Sequence, residues 1–462
     1  MLKKAAKQEY GLSPVGLNVT RDLCAFLAGF RFEDLPEAAV HQARRGVLDW
    51  IGCALAGSRH KNIEILLSVL RSAGSGGEAS VFGHSVKLGG LEAATANGQM
   101  GHLFDYDDTH MGGVILHASS PILPALFALA ESGSFDGRAL IGAYAAGFEA
   151  GVRVGQAAPA HHDGGWHLTG TLGSIAAGAA SARLLGLDST PTIHAIALAA
   201  TQAGGMQQNR GTSAKSFHAG KAASNGMLAA LLAQAGFDAS HEIIEGNYGF
   251  CRIYSTVAKP EAVTEALGSR WEIVNNGYKP YACGVVLHPA IDAMVALGRR
   301  VPPAATQVAR IELRVHPHVV KITGVQEPTT GLQSKFSIYH SAAAAYLDGT
   351  AGLAQYTDAR ALAPEVVALR KKVVVTTDED LRRDEAHAAL VTESGERHET
   401  HIAHASGTID NPMSDAAIEA KFLANAAPVI GAERAGEIVQ ACWRLENLAD
   451  VRVLPAKAAL PS

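Results

Sequence analysis

Gln307-Val308-Ala309-Arg310-Ile311-Glu312-Leu313-Arg314-Val315 places Val308, Ile311, Leu313 and Val315 on an alternating pattern, which predicts a β-strand with one face against a core. Its surroundings agree. Val373 to Thr377 is a short β-branched run, and Ala389 to Ile402 reads as a hairpin around Ser394-Gly395. Helix-like stretches, Ser341 to Leu347 and Pro364 to Leu369, lie between them. Outside this region the texture is helix after helix. From a capping Asp34, with Pro36 in the first turn, Val40, Ala43, Val47, Leu48, Ile51 and Leu55 recur at helical spacing until Gly57. Asp136 opens a second helix with Leu140, Tyr144, Phe148 and Val152 on one face and Glu149 and Arg153 as an i,i+4 pair. Asp188 starts a third, and Ala222 to Ala235 makes a fourth, ended by Gly236. Helical patterns return after Asn411, in Ala416 to Leu423 and Ala435 to Leu445. The expected fold is therefore mainly α. A large all-helical domain is built from both chain ends (1–270 and 407–462), with a smaller α+β domain inserted between (271–406).

Size and charge narrow the function. A chain of 462 residues exceeds what one core usually serves. The net charge, 39 − 44 = −5, gives no basic footprint for nucleic acid or anionic membrane. Cys24, Cys53, Cys251, Cys283 and Cys442 are odd in number and scattered, so neither a disulfide framework nor an iron–sulfur ligand set is expected. Met1 to Gln8 is basic but no apolar core follows it, which is unlike a signal peptide. The most apolar run, Gly173 to Leu187, is interrupted by Ser174, Ser181 and Arg183, too early for a membrane span. Within it, Gly173-Ser174-Ile175-Ala176-Ala177-Gly178-Ala179-Ala180 is the composition of helices that pack with their axes close together. A soluble, cytoplasmic protein is expected.

Five polar segments could carry chemistry. The first runs from His102 through Asp105-Tyr106-Asp107-Asp108-Thr109-His110 to His117-Ala118-Ser119-Ser120. Its crowded carboxylates must be hydrogen-bonded, paired or shifted in pKa. The second, Trp166-His167-Leu168-Thr169-Gly170-Thr171-Leu172-Gly173, sets a histidine before a Gly/Thr-rich turn that enters a helix, where backbone N–H groups could receive an anion. Nearby His161-His162-Asp163 lacks metal-ligand spacing, and no metal site is expected. The third, Gly211 to Lys221, places Lys215, His218 and Lys221 just before an apolar helix, a local positive site suited to a carboxylate. The fourth joins Lys279-Pro280-Tyr281-Ala282-Cys283 to His288, and the fifth is Ser334-Lys335-Phe336-Ser337-Ile338-Tyr339-His340. A Cys283–His288 nucleophile pair has no evident third group, which favours a buried structural cysteine.

In this order, these segments resemble the MmgE/PrpD family, which includes 2-methylcitrate dehydratases, cis-aconitate decarboxylases and iminodisuccinate epimerases. The resemblance rests on Asp105–His110 with His117, His167–Gly173, Gly211–Gly220, Lys279–Ala293 and Lys335–Gly349, and Ala43–Gly57 also looks like the family's early helix. It implies a helical domain with a smaller α+β lid, a homodimer, and catalysis without metal or organic cofactor. Pocket residues carry over as Asp105, Thr109, His117, His167, Lys215 and His288, with Lys279 as a substrate contact. Two positions depart from the family pattern. Gly284 and Val285 follow Cys283 where an arginine is frequent, and His340 stands where a tyrosine is frequent.

The implied chemistry is proton removal next to a carboxylate, or its decarboxylative counterpart, on a small di- or tricarboxylate. It needs a cationic clamp for enolate charge and an acid and a base near neutral pKa. Lys215 and Thr109 are the expected clamp, helped by Lys279. His167 and His288 are the expected acid and base. Asp105 would tune a histidine or act as the base, and His117 would complete the wall. Dehydratase, decarboxylase and epimerase outcomes all remain open, as does a carboxylate-binding protein without catalysis.

Overall fold

The computed structural model describes residues 17–74 and 76–461. The basic segment Met1 to Gln8 lies outside them. Nine main helices come first: α1 Val19–Gly29, α2 Glu37–Gly57, α3 Lys61–Ala73, α4 Gly90–His102, α5 Ser119–Glu131, α6 Gly137–Ala157, α7 Leu168–Leu184, α8 Ser189–Ala200 and α9 Ser213–Gln234. The second half contributes α10 His288–Arg300, α11 Ile338–Asp348, α12 Asp415–Ile430 and α13 Ala432–Trp443, with strands β1 Val308–Val315, β2 Val373–Thr377, β3 Ala386–Thr392 and β4 Arg397–Ile402. The fold is mainly helical, with strand confined to a small part of the chain.

Small residues decide how α4, α7 and α9 pack. A Cβ on Gly220 would lie 2.1 Å from the Thr95 carbonyl oxygen, and one on Gly226 would lie 2.4 Å from the Gly178 nitrogen. The axes therefore approach to a distance that no larger residue permits. The facing pairs give the directions. Gly173 meets Ala222 and Gly178 meets Gly226, so α7 and α9 run parallel. Gly90 meets Met227 and Gly98 meets Gly220, so α4 runs antiparallel to α9. The last residue of α4 (His102), the N-cap of α7 (His167) and the first turn of α9 (Lys215) consequently converge at one end of the bundle.

A second hydrophobic core gathers Leu287, Ile291, Met294 and Leu297 around α10 with Ile311, Leu313 and Val315 of β1, Tyr346 of α11 and Leu390 of β3. Cys53 and Tyr106 join it from the helical side. The first core takes Trp271, Ile273 and Tyr278, and from the C-terminal helices Ile418, Phe422 and Ile438. The four-stranded sheet has the order β2-β1-β3-β4. β1 pairs parallel with β2 (Ile311 opposite Val373) and antiparallel with β3, and β3–β4 is an antiparallel hairpin turning at Gly395, whose φ of 87° suits glycine. Ile311, Leu313 and Val315 are buried as their alternation requires.

Three helix starts differ from expectation. Asp34 does not cap α2: its carboxylate accepts the Arg31 backbone N–H at 2.7 Å in a preceding 3-10 turn, and Pro36 stands at the cap position. α9 begins at Ser213, so Lys215 sits within its first turn instead of before it, and Lys221 lies further along. Likewise Thr169-Gly170-Thr171 forms the opening of α7 itself, with His167 as its N-cap. Ser, Thr and Gly are weak helix formers alone, but here burial against α4 and α5 outweighs propensity. Asp136 does cap α6, accepting the Ala139 N–H at 2.8 Å.

Candidate active site

The acidic run leaves α4 and turns sharply. Asp105 adopts φ of 53°, left-handed backbone that costs most non-glycine residues energy and that aspartate tolerates better than most. A two-residue ladder, Thr109–His110 against Asn276–Gly277, then ties this loop to the segment that carries Lys279. The result gathers cations on one oxygen. Asp105 Oδ1 receives Lys279 Nζ at 2.7 Å and Lys215 Nζ at 3.1 Å, and His117 Nε2 lies 3.7 Å away. Lys279 Nζ also donates to the Asp105 backbone carbonyl at 2.8 Å. Burial opposes ionisation of Asp105, but Lys215 and Lys279 outweigh it and hold its carboxyl well below the usual range.

The neighbouring carboxylates are consumed internally. Asp107 is fully buried, accepts the Ser120 hydroxyl at 2.6 Å and faces His102 Nδ1 at 2.9 Å. Asp108 accepts the Ser119 hydroxyl and the Asn276 amide, each at 2.6 Å, and burial raises it to about 7. The crowding foreseen in the sequence is thus resolved by separate partners for each acid.

Imidazoles wall the other side. His102 packs against His117 (ring centroids 4.7 Å apart) and stacks on His167 (5.4 Å), which in turn meets His218 (5.2 Å). His117 Nδ1 lies 2.9 Å from the Asp108 carbonyl and 3.0 Å from Thr109 Oγ1. A carbonyl can only accept, so Nδ1 carries the proton and Nε2 presents a lone pair toward Asp105. The same logic applies to His102, whose Nδ1–H donates to Asp107 and whose buried Nε2 has no protein partner. His167 Nε2 and His288 Nε2 are buried without partners too. Burial pushes His117 and His288 down to about 3, and His167 is depressed as well, with Lys215 adding to the effect. These rings are neutral at rest.

A cavity of about 1120 Å³ opens onto this cluster, lined among others by His102, Phe104, Asp105, Lys215, Lys335 and Tyr356. Asp105, Thr109, His117, Lys215 and Lys279 are linked by direct contacts, and His167 joins them through the His102 ring. His288, at the start of α10, makes no hydrogen bond to the other six, although Lys279 and Asp105 act on it through space. The sequence reasoning leaves out His102 and Lys335, both within segments it singles out. His102 was legible as the last helical residue three positions before Asp105. Nothing local marks Lys335, because its surroundings come from three distant segments. Cys283 is buried with its thiol pushed up to about 12, unsuited to a nucleophile. His161 is enclosed by Trp166, Phe250 and Tyr254, and His110 faces Val114 and Glu272.

Donor atoms of His102, Asp105, Asp107 and His117 lie within 4.8 Å of one another, close enough to hold a metal. Two ammonium groups already balance Asp105, and a dication there would meet their repulsion. Partly exposed groups of the same kind, Glu385/His387/His401 and Asp384/His404/Asp410, lie on the sheet side.

Fold and pocket together define a mainly helical protein with a buried cluster of lysine, aspartate and histidine at the edge of a cavity. The chain belongs to the MmgE/PrpD family: residues 21–263 match the MmgE/PrpD N-terminal domain and residues 281–445 the C-terminal domain. It is 33% identical to the cis-aconitate decarboxylase-like protein oryM of Aspergillus oryzae, over 95% of this chain and 97% of that one. It is 28% identical to a cis-aconitate decarboxylase of Aspergillus terreus (94% and 95% covered) and 25% identical to that of Homo sapiens (96% and 95%). Among the described residues no helix is long and apolar enough to cross a membrane.

Proposed function

We propose that the protein is a lyase of the cis-aconitate decarboxylase type, acting on a small di- or tricarboxylate. The observation that carries this is the gathering of Lys215 and Lys279 on Asp105 at the edge of a cavity that Asp105, Lys215 and His102 line, where His102 brings a ring nitrogen without a protein partner. Full-length similarity to the decarboxylases of two organisms and to a decarboxylase-like protein of a third supports decarboxylation over the dehydratase and epimerase outcomes.

In this reading a substrate carboxylate displaces part of the Lys215–Asp105 contact and is held by the ammonium, with the Thr109 hydroxyl beside it. The bond to the departing carboxylate breaks, carbon dioxide leaves, and the electron pair stays on carbon as an enolate-like anion. Lys215 and Lys279 face that charge. A proton must then reach the carbon. The incoming polycarboxylate brings negative charge beside His167, His288 and His117 and favours their protonated forms, so that an imidazolium is available to deliver it. Asp105, held ionised, serves as counter-ion and orienting group better than as a base.

The proposed organisation is a helical body (1–270 and 407–462) with 271–406 as a lid over the cavity. Action in the cytoplasm, as a homodimer and without a cofactor, belongs to the same proposal. The five free, buried cysteines fit a reducing compartment. The test is incubation with cis-aconitate in deuterium oxide, followed by NMR and mass spectrometry. One carbon dioxide released and one deuteron incorporated per substrate is expected. Loss of water without carbon dioxide, deuterium exchange with no net reaction, or binding without turnover would each replace this reading with the dehydratase, the epimerase or the binding protein.

A further inference from the structure

Among the described residues three lysines are almost wholly buried: Lys279, Lys335 and Lys421. Lys279 sits on Asp105 and Lys421 on Asp49, each at 2.7 Å. Lys335 has no carboxylate within ion-pair distance among the described residues, although it is only 4% exposed and lines the cavity. Its Nζ donates to the Phe104 carbonyl at 2.8 Å and to the Ala282 carbonyl, and lies over the rings of Tyr356 (4.9 Å) and Phe104 (5.5 Å). An ammonium has three donors, and two are used. A desolvated cation left without a counter-ion is costly unless something supplies one. The cavity is where that counter-ion can come from.

We propose that Lys335 binds a second carboxylate of the substrate, remote from the one held at Lys215, so that the site selects compounds carrying at least two carboxylates. The proposal rests on the carboxylate-substrate reading above. Phe104, whose carbonyl Lys335 holds, directly precedes Asp105, which places the ammonium beside the reacting cluster but on a different wall. Lys215 comes from helix α9 and Lys335 from the segment before α11, so a substrate joined to both is gripped from both cores. The charge count agrees. Asp105 offsets one of the charges on Lys215 and Lys279, and a substrate with two or three carboxylates meets the remaining one and that of Lys335. Burial pushes the Lys335 ammonium down to about 8, with Lys279 and Lys215 acting the same way and Asp105 pulling against them. Above that pH the anchor loses its charge, so substrate affinity falls as pH rises through about 8.

The experiment compares the native protein with Lys335→Met and Lys335→Arg on cis-aconitate, together with calorimetric binding of tricarballylate, a saturated tricarboxylate that cannot react. Expected for Lys335→Met are a KM at least ~30-fold higher, a kcat within ~5-fold, a matching loss of tricarballylate affinity and no further loss above pH 8. Lys335→Arg restores most of the affinity and moves the pH dependence upward. Unchanged KM and tricarballylate affinity in Lys335→Met overturn the proposal, as does a fall in kcat alone. Should Lys335→Met not fold, Lys335→Arg and the native pH profile decide, and a native affinity flat from pH 7 to 9 is adverse. If the native protein does not turn over cis-aconitate, the decarboxylase reading fails by itself. Tricarballylate binding then judges Lys335 alone: loss in Lys335→Met supports it, and unchanged or absent native binding overturns it.

Discussion

Two of the buried ionic clusters among the described residues differ in how far their polar groups are satisfied. In the first, Arg153 Nε donates to Glu149 at 2.7 Å, its remaining donors reach the carbonyls of Val263, Glu265 and Arg270, and Glu149 also accepts the Glu272 backbone N–H. Each guanidinium nitrogen of Arg153 has an acceptor, so the cluster is nearly closed. In the second, two ammonium groups share one Asp105 oxygen while His102, His167 and His288 each keep a buried ring nitrogen without a partner. Both are ion-rich and both are buried. The closed network holds helix α6 to the following chain, and the open one is the site we propose for the substrate.

The contrast breaks first at Lys215. Lys215→Met is expected to lower kcat/KM for cis-aconitate by ~10³-fold, about 4 kcal/mol of transition-state stabilisation, measured as carbon dioxide release. Its melting temperature should change little, because Lys279 still balances Asp105. A large loss of stability with residual activity intact would mean that the open cluster is structural after all.

Arg153→Met is the converse. It leaves Glu149 buried without its cation and should cost about 3 kcal/mol at pH 8, read by urea unfolding. Burial raises Glu149 to about 7 in the folded protein, above its unfolded value. Its proton-linked stability is therefore present below the unfolded pKa and is lost as pH rises through about 7. The cost of Arg153→Met should accordingly shrink at pH 5.5, where Glu149 is protonated. A cost independent of pH would show that the charge of Glu149 is not what Arg153 compensates.

His102→Asn sharpens the comparison from inside the open cluster. Asparagine can still donate to Asp107, so the loop geometry survives while the unused Nε2 is removed. A fall in kcat of ~10²-fold, with KM nearly constant, is expected if that nitrogen handles a proton. Unchanged kcat would reduce His102 to a packing partner of His117 and His167.

Much of this was legible in the sequence, and the failures share a cause. The strand pattern of β1, the return of helix after Asn411 and the five polar segments are properties of short windows, which periodicity reads directly. Lys335 escapes because its meaning depends on Phe104, Ala282 and Tyr356, remote in sequence. The openings of α7 and α9 escape because tertiary burial makes helix of Thr-Gly-Thr and Ser-Ala-Lys. Two of the aspartates read at helix starts show the limit most simply. Asp136 and Asp34 look alike before their helices, yet Asp136 accepts the N3 amide of α6 while Asp34 turns back to Arg31. Asp136→Ala should cost about 1 kcal/mol of stability and leave kcat/KM unchanged. It is the smallest effect and the cleanest control, since it breaks a saturated carboxylate far from the open cluster. Asp34→Ala should leave α2 intact by hydrogen exchange, because no amide of that helix depends on it. If Asp136→Ala instead impaired turnover as much as His102→Asn, saturation would fail as the criterion separating the two kinds of buried and capping acid in this protein.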